Sequence, residues 1–141
     1  MKTIVNTQSV NTFGDPANIP VIFIHGFPFD HTAWERQIEA FSDKYYCIAY
    51  DVRGFGQSYV GDGQYSLEAY THDLFSIVHE MQIDRPVLVG MSTGGFIALR
   101  AIERDIRRFR GLMLCGTMIN ADDKLALIDN SSKINDINVQ G

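Results

Sequence analysis

PVLVGMSTGG, residues 86–95, decides the fold of this chain, because it joins an apolar run to a helical one through a tight turn. Pro86 to Gly90 is a short apolar run typical of a buried strand. Thr93 to Arg104 is apolar nearly all round, as expected of a helix packed against a sheet. Between them lies Gly90-Met91-Ser92-Thr93-Gly94, which has the form G-x-S-x-G. Only small residues fit beside a serine on such a strand-to-helix turn, and the turn lifts the hydroxyl clear of the sheet edge. The context of the pattern therefore predicts that Ser92 is a nucleophile.

The alternation of short apolar runs and longer amphipathic stretches continues on both sides of this turn and predicts an α/β fold. Further strands are expected at Val21 to His25, Tyr46 to Tyr50 and Arg110 to Cys115, and further helices at His31 to Ser42 and Ser66 to Met81. Residues 1–20 carry weaker strand signals, broken by a Gly-Asp-Pro turn, and favour an edge hairpin. We expect a doubly wound, mostly parallel sheet, in which the Val21 strand lies between the Tyr46 strand and the Pro86 strand.

Composition and charge narrow the class of protein. The 141 residues are 45% hydrophobic and 21% charged, which is an ordinary balance for one globular domain. The formal net charge of −5 argues against a nucleic-acid surface. The N-terminus has no apolar segment of the signal-peptide kind, and no apolar run reaches the roughly 18 residues of a membrane span. A cytoplasmic protein with neither a nucleic-acid nor a membrane partner is therefore expected.

The cysteines and histidines give no sign of a metal site. Cys47 and Cys115 lack C-x-x-C or zinc-like spacing and are expected to be buried free thiols. His72 and His79 lie about 10 Å apart along one predicted helix, too far to bind one metal, and are expected on its surface. His31, which opens a predicted helix, is expected to cap it. We predict no metal and no cofactor.

Two further motifs follow predicted strands. His25-Gly26-Phe27-Pro28 ends the first core strand, and Asp51-Val52-Arg53-Gly54-Phe55-Gly56-Gln57-Ser58 follows the next one. Ligands of such sheets bind outside the carboxyl ends of the strands, where the strand order reverses, so the first motif and Ser92 are expected to share one site. Acyl transfer needs donors for the developing oxyanion, and the backbone N–H of Thr93, next to the nucleophile, is one candidate. The aspartate and arginine of the second motif are expected to hold that loop.

Taken in order with the serine turn, these motifs resemble the α/β-hydrolase family, and most of all its single-domain esterase, lactonase and haloperoxidase-like members such as the enol-lactone hydrolases. The resemblance spans roughly residues 20–118. It implies that the backbone N–H of Phe27 is the second oxyanion donor, that Gly26 lets this loop approach closely, and that His25 shapes the loop instead of acting as the base. Ser92 stands where the dehalogenase and epoxide-hydrolase branches carry a carboxylate, which argues against those branches. The implied activity is hydrolysis of a small carboxylic ester or lactone.

The family order of the catalytic triad is serine, acid, histidine, and this chain has no histidine after Ser92. The aspartates that follow lie in a polar tail instead of at strand ends, which does not favour them as the acid: Asp122, Asp123, Asp129 and Asp136. We therefore expect residues 1–118 to be the N-terminal part of the hydrolase core, truncated after the strand Arg110 to Cys115. Residues 119–141 are expected to begin an incomplete cap or lid.

This deficit leaves two hypotheses. One is a serine hydrolase that is weak or inactive as this chain, because its triad acid and base are missing. The other is a non-catalytic fragment that binds small acyl ligands or a complementing half of the fold. In either case the open apolar edge of the strand Arg110 to Cys115 is expected to promote self-association unless the tail covers it.

Overall fold

A computed structural model describes residues 1–58, 66–117 and 137–140, which contain one seven-stranded sheet. The strands are β1 (Lys2–Val5), β2 (Gln8–Phe13), β3 (Pro20–Ile24), β4 (Tyr46–Tyr50), β5 (Val87–Met91), β6 (Gly111–Cys115) and β7 (Ile137–Gln140). The helices are α1 (Glu35–Phe41), α2 (Leu67–Glu80) and α3 (Thr93–Arg104), with 3-10 segments at His31–Trp34 and Ile106–Arg108. Of the helices in these ranges, none is long and apolar enough to span a membrane.

The strand order is β1-β2-β4-β3-β5-β6-β7, and the winding reverses at β3. Strand β4 pairs with one side of β3 and β5 with the other, both in parallel, so that Ile22 lies opposite Ile48 and Leu88. Strands β1 and β2 form an antiparallel hairpin that joins the sheet through β4. The predicted α/β class, the doubly wound, mostly parallel sheet and the edge hairpin are confirmed.

Apolar side chains alternate along the central strands and fill both faces of the sheet. Ile22 and Ile24 of β3 pack in the cluster that includes α2 and α3, whereas Val21 and Phe23 pack on the other face with Trp34. Helices on both faces are the arrangement expected when parallel strands are joined by crossover connections. The packed layers hold the ends of β3, β4 and β5 in fixed relative positions.

The predicted helix from His31 to Ser42 is present, but it begins as a 3-10 turn before α1. The cap of this turn is Asp30, whose Oδ1 accepts a hydrogen bond from the backbone N–H of Thr32 at 2.9 Å. The prediction that His31 caps the helix is wrong, because its ring is hydrogen-bonded to Asp51. An aspartate accepts from backbone N–H groups at a helix start better than an imidazole does.

The strand Arg110 to Cys115 is not the last strand of the described sheet. Strand β7 pairs with β6 in parallel, with Leu112 opposite Ile137. The sequence of β7 is only four residues long and half polar, so its pattern carries little strand signal. An unpaired strand edge can bond any extended backbone, whatever its side chains. Strand β7 therefore covers the edge of β6, whose exposure was the reason for expecting self-association.

Residues 118–136, with the four tail aspartates and most of the predicted cap, lie outside the described residues.

Candidate functional site

Ser92 lies between β5 and α3 in a backbone conformation that serine rarely adopts. Its φ is 53° and its ψ is −118°, and the residue is exposed. Such a conformation costs about 1–3 kcal/mol and persists only where the surroundings enforce it. A Cβ at Gly94 would collide with the carbonyl oxygen of Ile24, and a Cβ at Gly90 would lie 2.6 Å from the Cα of Gly95. The glycines of the G-x-S-x-G pattern are therefore required for the turn that exposes the serine.

The end of β6 holds both peptide groups of Ser92. The Ser92 N–H donates to the carbonyl oxygen of Cys115 at 3.0 Å, and Thr117 Oγ1 donates to the Ser92 carbonyl at 3.0 Å. Thr117 is buried, and a Cβ at Gly95 would occupy the space of its hydroxyl. The sequence motifs did not identify Thr117. The feature that could have pointed to it is its position, two residues beyond the strand that pairs with β5.

The loop after β3 runs directly against this turn. A Cβ at Gly26 would lie 3.1 Å from the carbonyl oxygen of Met91 and 3.2 Å from Ser92 Cβ. His25 is fully buried, with Nδ1 donating to the Gly26 carbonyl at 2.8 Å and Nε2 accepting from the Val52 N–H at 2.9 Å. Burial lowers the pKa of His25, so the ring is neutral at pH 7. With both nitrogens engaged, His25 fixes the loop and has no nitrogen with which to take a proton from Ser92.

The backbone N–H of Phe27, predicted as an oxyanion donor, lies at the same turn but is already hydrogen-bonded. It donates to Thr93 Oγ1 at 2.9 Å. Thr93 is the first residue of α3, so its own backbone N–H belongs to the first turn, where helix geometry offers no acceptor. The structure brings Ser92, Thr93, Gly26 and Phe27 together as the sequence predicts. It adds the Thr93 hydroxyl, which sequence analysis missed.

Three aromatic rings adjoin this loop. The ring of Phe27 stacks on Phe55, with 4.5 Å between the ring centroids, and meets Tyr70 edge-on at 5.4 Å. All three side chains are half-buried. They form an apolar surface next to the polar groups of the turn, a combination common in sites for small molecules.

The turn after β4 uses its polar groups to hold itself. Asp51 Oδ1 accepts from the backbone N–H and the ring Nδ1 of His31, at 2.8 Å and 2.7 Å, and Oδ2 accepts from the Gln57 N–H at 2.9 Å. Arg53 pairs with buried Asp73 of α2 through two hydrogen bonds of 2.9 Å and 2.8 Å. Asp51 and Arg53 therefore hold the loop after their strand, as the sequence predicts.

One group of side chains with metal-ligating atoms occurs in the described ranges. Atoms of Asp30, His31 and Asp51 lie within 4.8 Å of one another. His31 Nδ1 donates to Asp51, and Asp30 Oδ1 accepts from Thr32, so these hydrogen bonds account for the clustering. The three side chains therefore lie together because they hold the loops after β3 and β4 in place.

The side chains of His72, His79, Cys47 and Cys115 make no hydrogen bond to the Ser92 turn in the described part of the chain. His72 and His79 are exposed on α2, as predicted, beside β1 and beside the loop that precedes β5. Cys47 is buried and Cys115 half-buried, both are free, and burial raises the pKa of each thiol. None of the described histidines is hydrogen-bonded to the Ser92 hydroxyl.

Comparison with known proteins identifies the family. Residues 19–140 match the family described as alpha/beta hydrolase fold. The chain belongs to the alpha/beta hydrolase family. Its members are generally hydrolases, and the resemblance drawn from the motifs is confirmed.

Several relatives of this alpha/beta hydrolase chain carry different names. It is 33% identical to 3-oxoadipate enol-lactonase 2 of Acinetobacter baylyi, over 75% of this chain and 40% of that protein. It is 36% identical to epoxide hydrolase 3 of Xenopus tropicalis, over 60% of this chain and 24% of that protein. A solved esterase from Thermogutta terrifontis has a TM-score of 0.76 and 29% identity, over 94% of this chain and 53% of that one. The chain spans less than half the length of the curated relatives it matches.

Proposed function

We propose that this alpha/beta hydrolase chain is part of a serine hydrolase that acts on a small carboxylic ester or lactone, with Ser92 as the nucleophile. An exposed serine held at a φ of 53° and a ψ of −118° on the strand-to-helix turn of a G-x-S-x-G pattern carries the proposal. The names of the enol-lactonase and esterase relatives support the substrate class. A serine at this position, where the epoxide-hydrolase branch is expected to carry a carboxylate, favours ester chemistry.

In the proposed reaction Ser92 Oγ bonds to the carbonyl carbon of the ester, and the carbonyl oxygen becomes an oxyanion. The bond to the leaving alcohol then breaks, and water later releases the acid from the serine. The backbone N–H of Thr93, at the N-terminus of α3, is suited to the oxyanion because the helix dipole also favours negative charge there. The aromatic surface of Phe27, Phe55 and Tyr70 is suited to the apolar part of a substrate.

The general base of this reaction is not one of the four histidines of the chain. His25 has both nitrogens engaged, and none of the other three histidines is hydrogen-bonded to Ser92 in the part of the chain that the structure describes. Because the relatives are more than twice as long as the matched part, we propose that the base and acid belong to a further part of the hydrolase fold. For these 141 residues alone we propose slow turnover, bounded by the roughly 10³- to 10⁴-fold over water that remains when triad members are removed.

Hydrolysis of p-nitrophenyl acetate by the 141-residue chain tests this proposal. Ser92→Ala removes the nucleophile and is expected to reduce the rate below that of the wild type. Ser76→Ala removes a partly exposed serine hydroxyl from α2 and serves as the matched control, with an unchanged rate expected. Equal rates for the wild type and Ser92→Ala would reject catalysis by Ser92.

The absence of a free histidine at Ser92 among the described residues favours a second candidate function. In it the chain binds small acyl ligands at the same turn without breaking a bond. Equilibrium binding of acetate or a short-chain ester, measured by titration, would then be unchanged in Ser92→Ala, and the p-nitrophenyl acetate rate of the wild type would equal that of buffer.

A further inference from the structure

The side chain of Thr93 lies where the nucleophile turn meets the loop after β3. Its Oγ1 accepts the hydrogen bond from the Phe27 backbone N–H at 2.9 Å. A backbone N–H has one proton to donate. While this bond is in place, Phe27 therefore cannot give a full hydrogen bond to a ligand at Ser92, and the group beside it with a proton to offer is the Thr93 hydroxyl.

The Thr93 hydroxyl proton has no acceptor in the part of the chain that the structure describes. A threonine inside a helix commonly donates to a carbonyl one turn earlier. Thr71 of α2 does so, with its Oγ1 donating to the Leu67 carbonyl at 2.7 Å. Thr93 opens α3, so no helical turn precedes it. Its hydroxyl accepts from Phe27 and keeps its own proton for another group.

We propose that the Thr93 hydroxyl is an oxyanion donor, so that the oxyanion accepts from both the backbone N–H and the side-chain O–H of this one residue. The inference rests on the proposed function of Ser92. Phe27 then acts through Thr93, because its N–H fixes the acceptor side of the hydroxyl and polarises the O–H bond. Thr93 is a catalytic residue in this scheme, and Phe27 is a positioning residue.

The hydroxyl donates a hydrogen bond and takes part in no bond change. Ser92 Oγ bonds to the ester carbonyl carbon, its proton passes to hydroxide from solvent, and the π electron pair of the carbonyl moves onto the oxygen. Collapse restores the C=O bond and expels the alkoxide. The hydrogen bond from Thr93 strengthens as negative charge develops on the oxygen, so it lowers the barrier more than it improves substrate binding.

The opposite arrangement makes a different prediction. If the substrate oxygen displaced the Thr93 hydroxyl and bonded directly to the Phe27 N–H, the hydroxyl would only block the donor in the free protein. Removing it would then leave the rate unchanged or raise it. The sign of the change therefore distinguishes a donor from a block.

The experiment compares Thr93→Val, which keeps the shape and loses the hydroxyl, with Thr93→Ser, which keeps the hydroxyl. The matched control is Thr71→Val, which removes the same group from a buried position on α2. Values of kcat and KM are measured with p-nitrophenyl acetate, alongside Ser92→Ala and the melting temperature of each variant. Thr93→Val is expected to lower kcat by about 10²- to 10³-fold with KM nearly unchanged, as for loss of one oxyanion donor. Thr93→Ser is expected to stay within about threefold of the wild type.

Each result has one meaning. Equal kcat for Thr93→Val and Thr93→Ser, or a faster Thr93→Val, overturns the donor role while leaving the nucleophile role of Ser92 intact. A fall in kcat for Thr93→Val matched by Thr71→Val also overturns it, because the loss is then one of general stability. A wild-type rate equal to that of Ser92→Ala overturns the proposed function and the role of Thr93 with it.

Discussion

The turns after β4 and β5 lie at the same edge of the sheet and accommodate left-handed backbone in opposite ways. After β4 the positive φ values of 83° and 54° fall on Gly54 and Gly56, where no Cβ opposes them. After β5 a φ of 53° falls on Ser92. Glycine would hold the same conformation with less strain. The serine at this position is the feature for which the proposed nucleophile role accounts.

The polar side chains of the two turns also differ in burial and in hydrogen bonding. The carboxylate of Asp51 is fully buried and accepts hydrogen bonds from His31 and Gln57. Ser92 is exposed, and its hydroxyl has no hydrogen-bond partner in the described part of the chain. A buried and fully bonded carboxylate stabilises a loop, whereas an exposed and unbonded hydroxyl is available to a ligand. Charge alone would have selected the β4 turn, whereas exposure favours the turn at Ser92.

The largest expected effect on stability comes from the β4 turn. Asp51→Asn replaces one acceptor oxygen with an NH₂ group, which then meets the N–H of His31 or of Gln57. We expect a loss of about 2–3 kcal/mol in the free energy of unfolding, because a buried donor is left without an acceptor. Urea denaturation measures the loss.

Asp30→Asn is the matched control for this change, because asparagine caps a helix start about as well as aspartate does. Its stability should stay near that of the wild type. If both variants denatured at the same urea concentration, the structural role assigned to Asp51 would be wrong.

A smaller effect of opposite sign is expected at the β5 turn. Ser92→Gly removes the strain of the Cβ and should raise the free energy of unfolding by about 1 kcal/mol relative to Ser92→Ala, which keeps the Cβ. At the β4 turn Gly54→Ala adds a Cβ at a φ of 83° and should lower stability by about 1–2 kcal/mol. The melting temperatures of the three variants test whether a Cβ is unfavourable at both positions. A lower melting temperature for Ser92→Gly than for Ser92→Ala would contradict the strain assigned to Ser92.

The sequence predicts the geometry of the Ser92 turn well because sterics leave few alternatives there. A Cβ at Gly90 would collide with the backbone of the same turn, and one at Gly94 with the end of the adjacent strand, so the pattern and the geometry are nearly equivalent. Thr117 could not be predicted, since its bond to Ser92 joins residues 25 apart in the chain. The role of the Thr93 hydroxyl was hidden for a similar reason, as its partner Phe27 lies 66 residues away.

Strand β7 escaped prediction on different grounds. Strand β6 is apolar, with Leu112 and Leu114 buried, so its pattern is strong, whereas β7 pairs through its backbone and needs no apolar run. The capping role predicted for His31 was wrong because the local sequence indicates a helix start but not that the Asp51 carboxylate, from the loop after β4, lies against the His31 ring. In each case the missing information was a contact between distant parts of the chain.

A further effect on stability depends on pH and concerns His25, which connects the two turns by donating to Gly26 and accepting from Val52. Burial is the main cause of its lowered pKa, so below about pH 6.5 the unfolded chain binds a proton at this ring that the folded chain does not. As the pH falls from about 6.5 toward the folded pKa, the free energy of unfolding therefore decreases by at most about 1.4 kcal/mol per pH unit. Above about pH 6.5 it does not depend on this group.

Urea midpoints at pH 7.5 and 5.5 measure this loss of stability. His25→Asn should show a smaller pH dependence than the wild type, whereas His79→Gln, at an exposed position on α2, should show the same one. An unchanged pH dependence in His25→Asn would mean that the connection between the turns does not depend on a neutral ring.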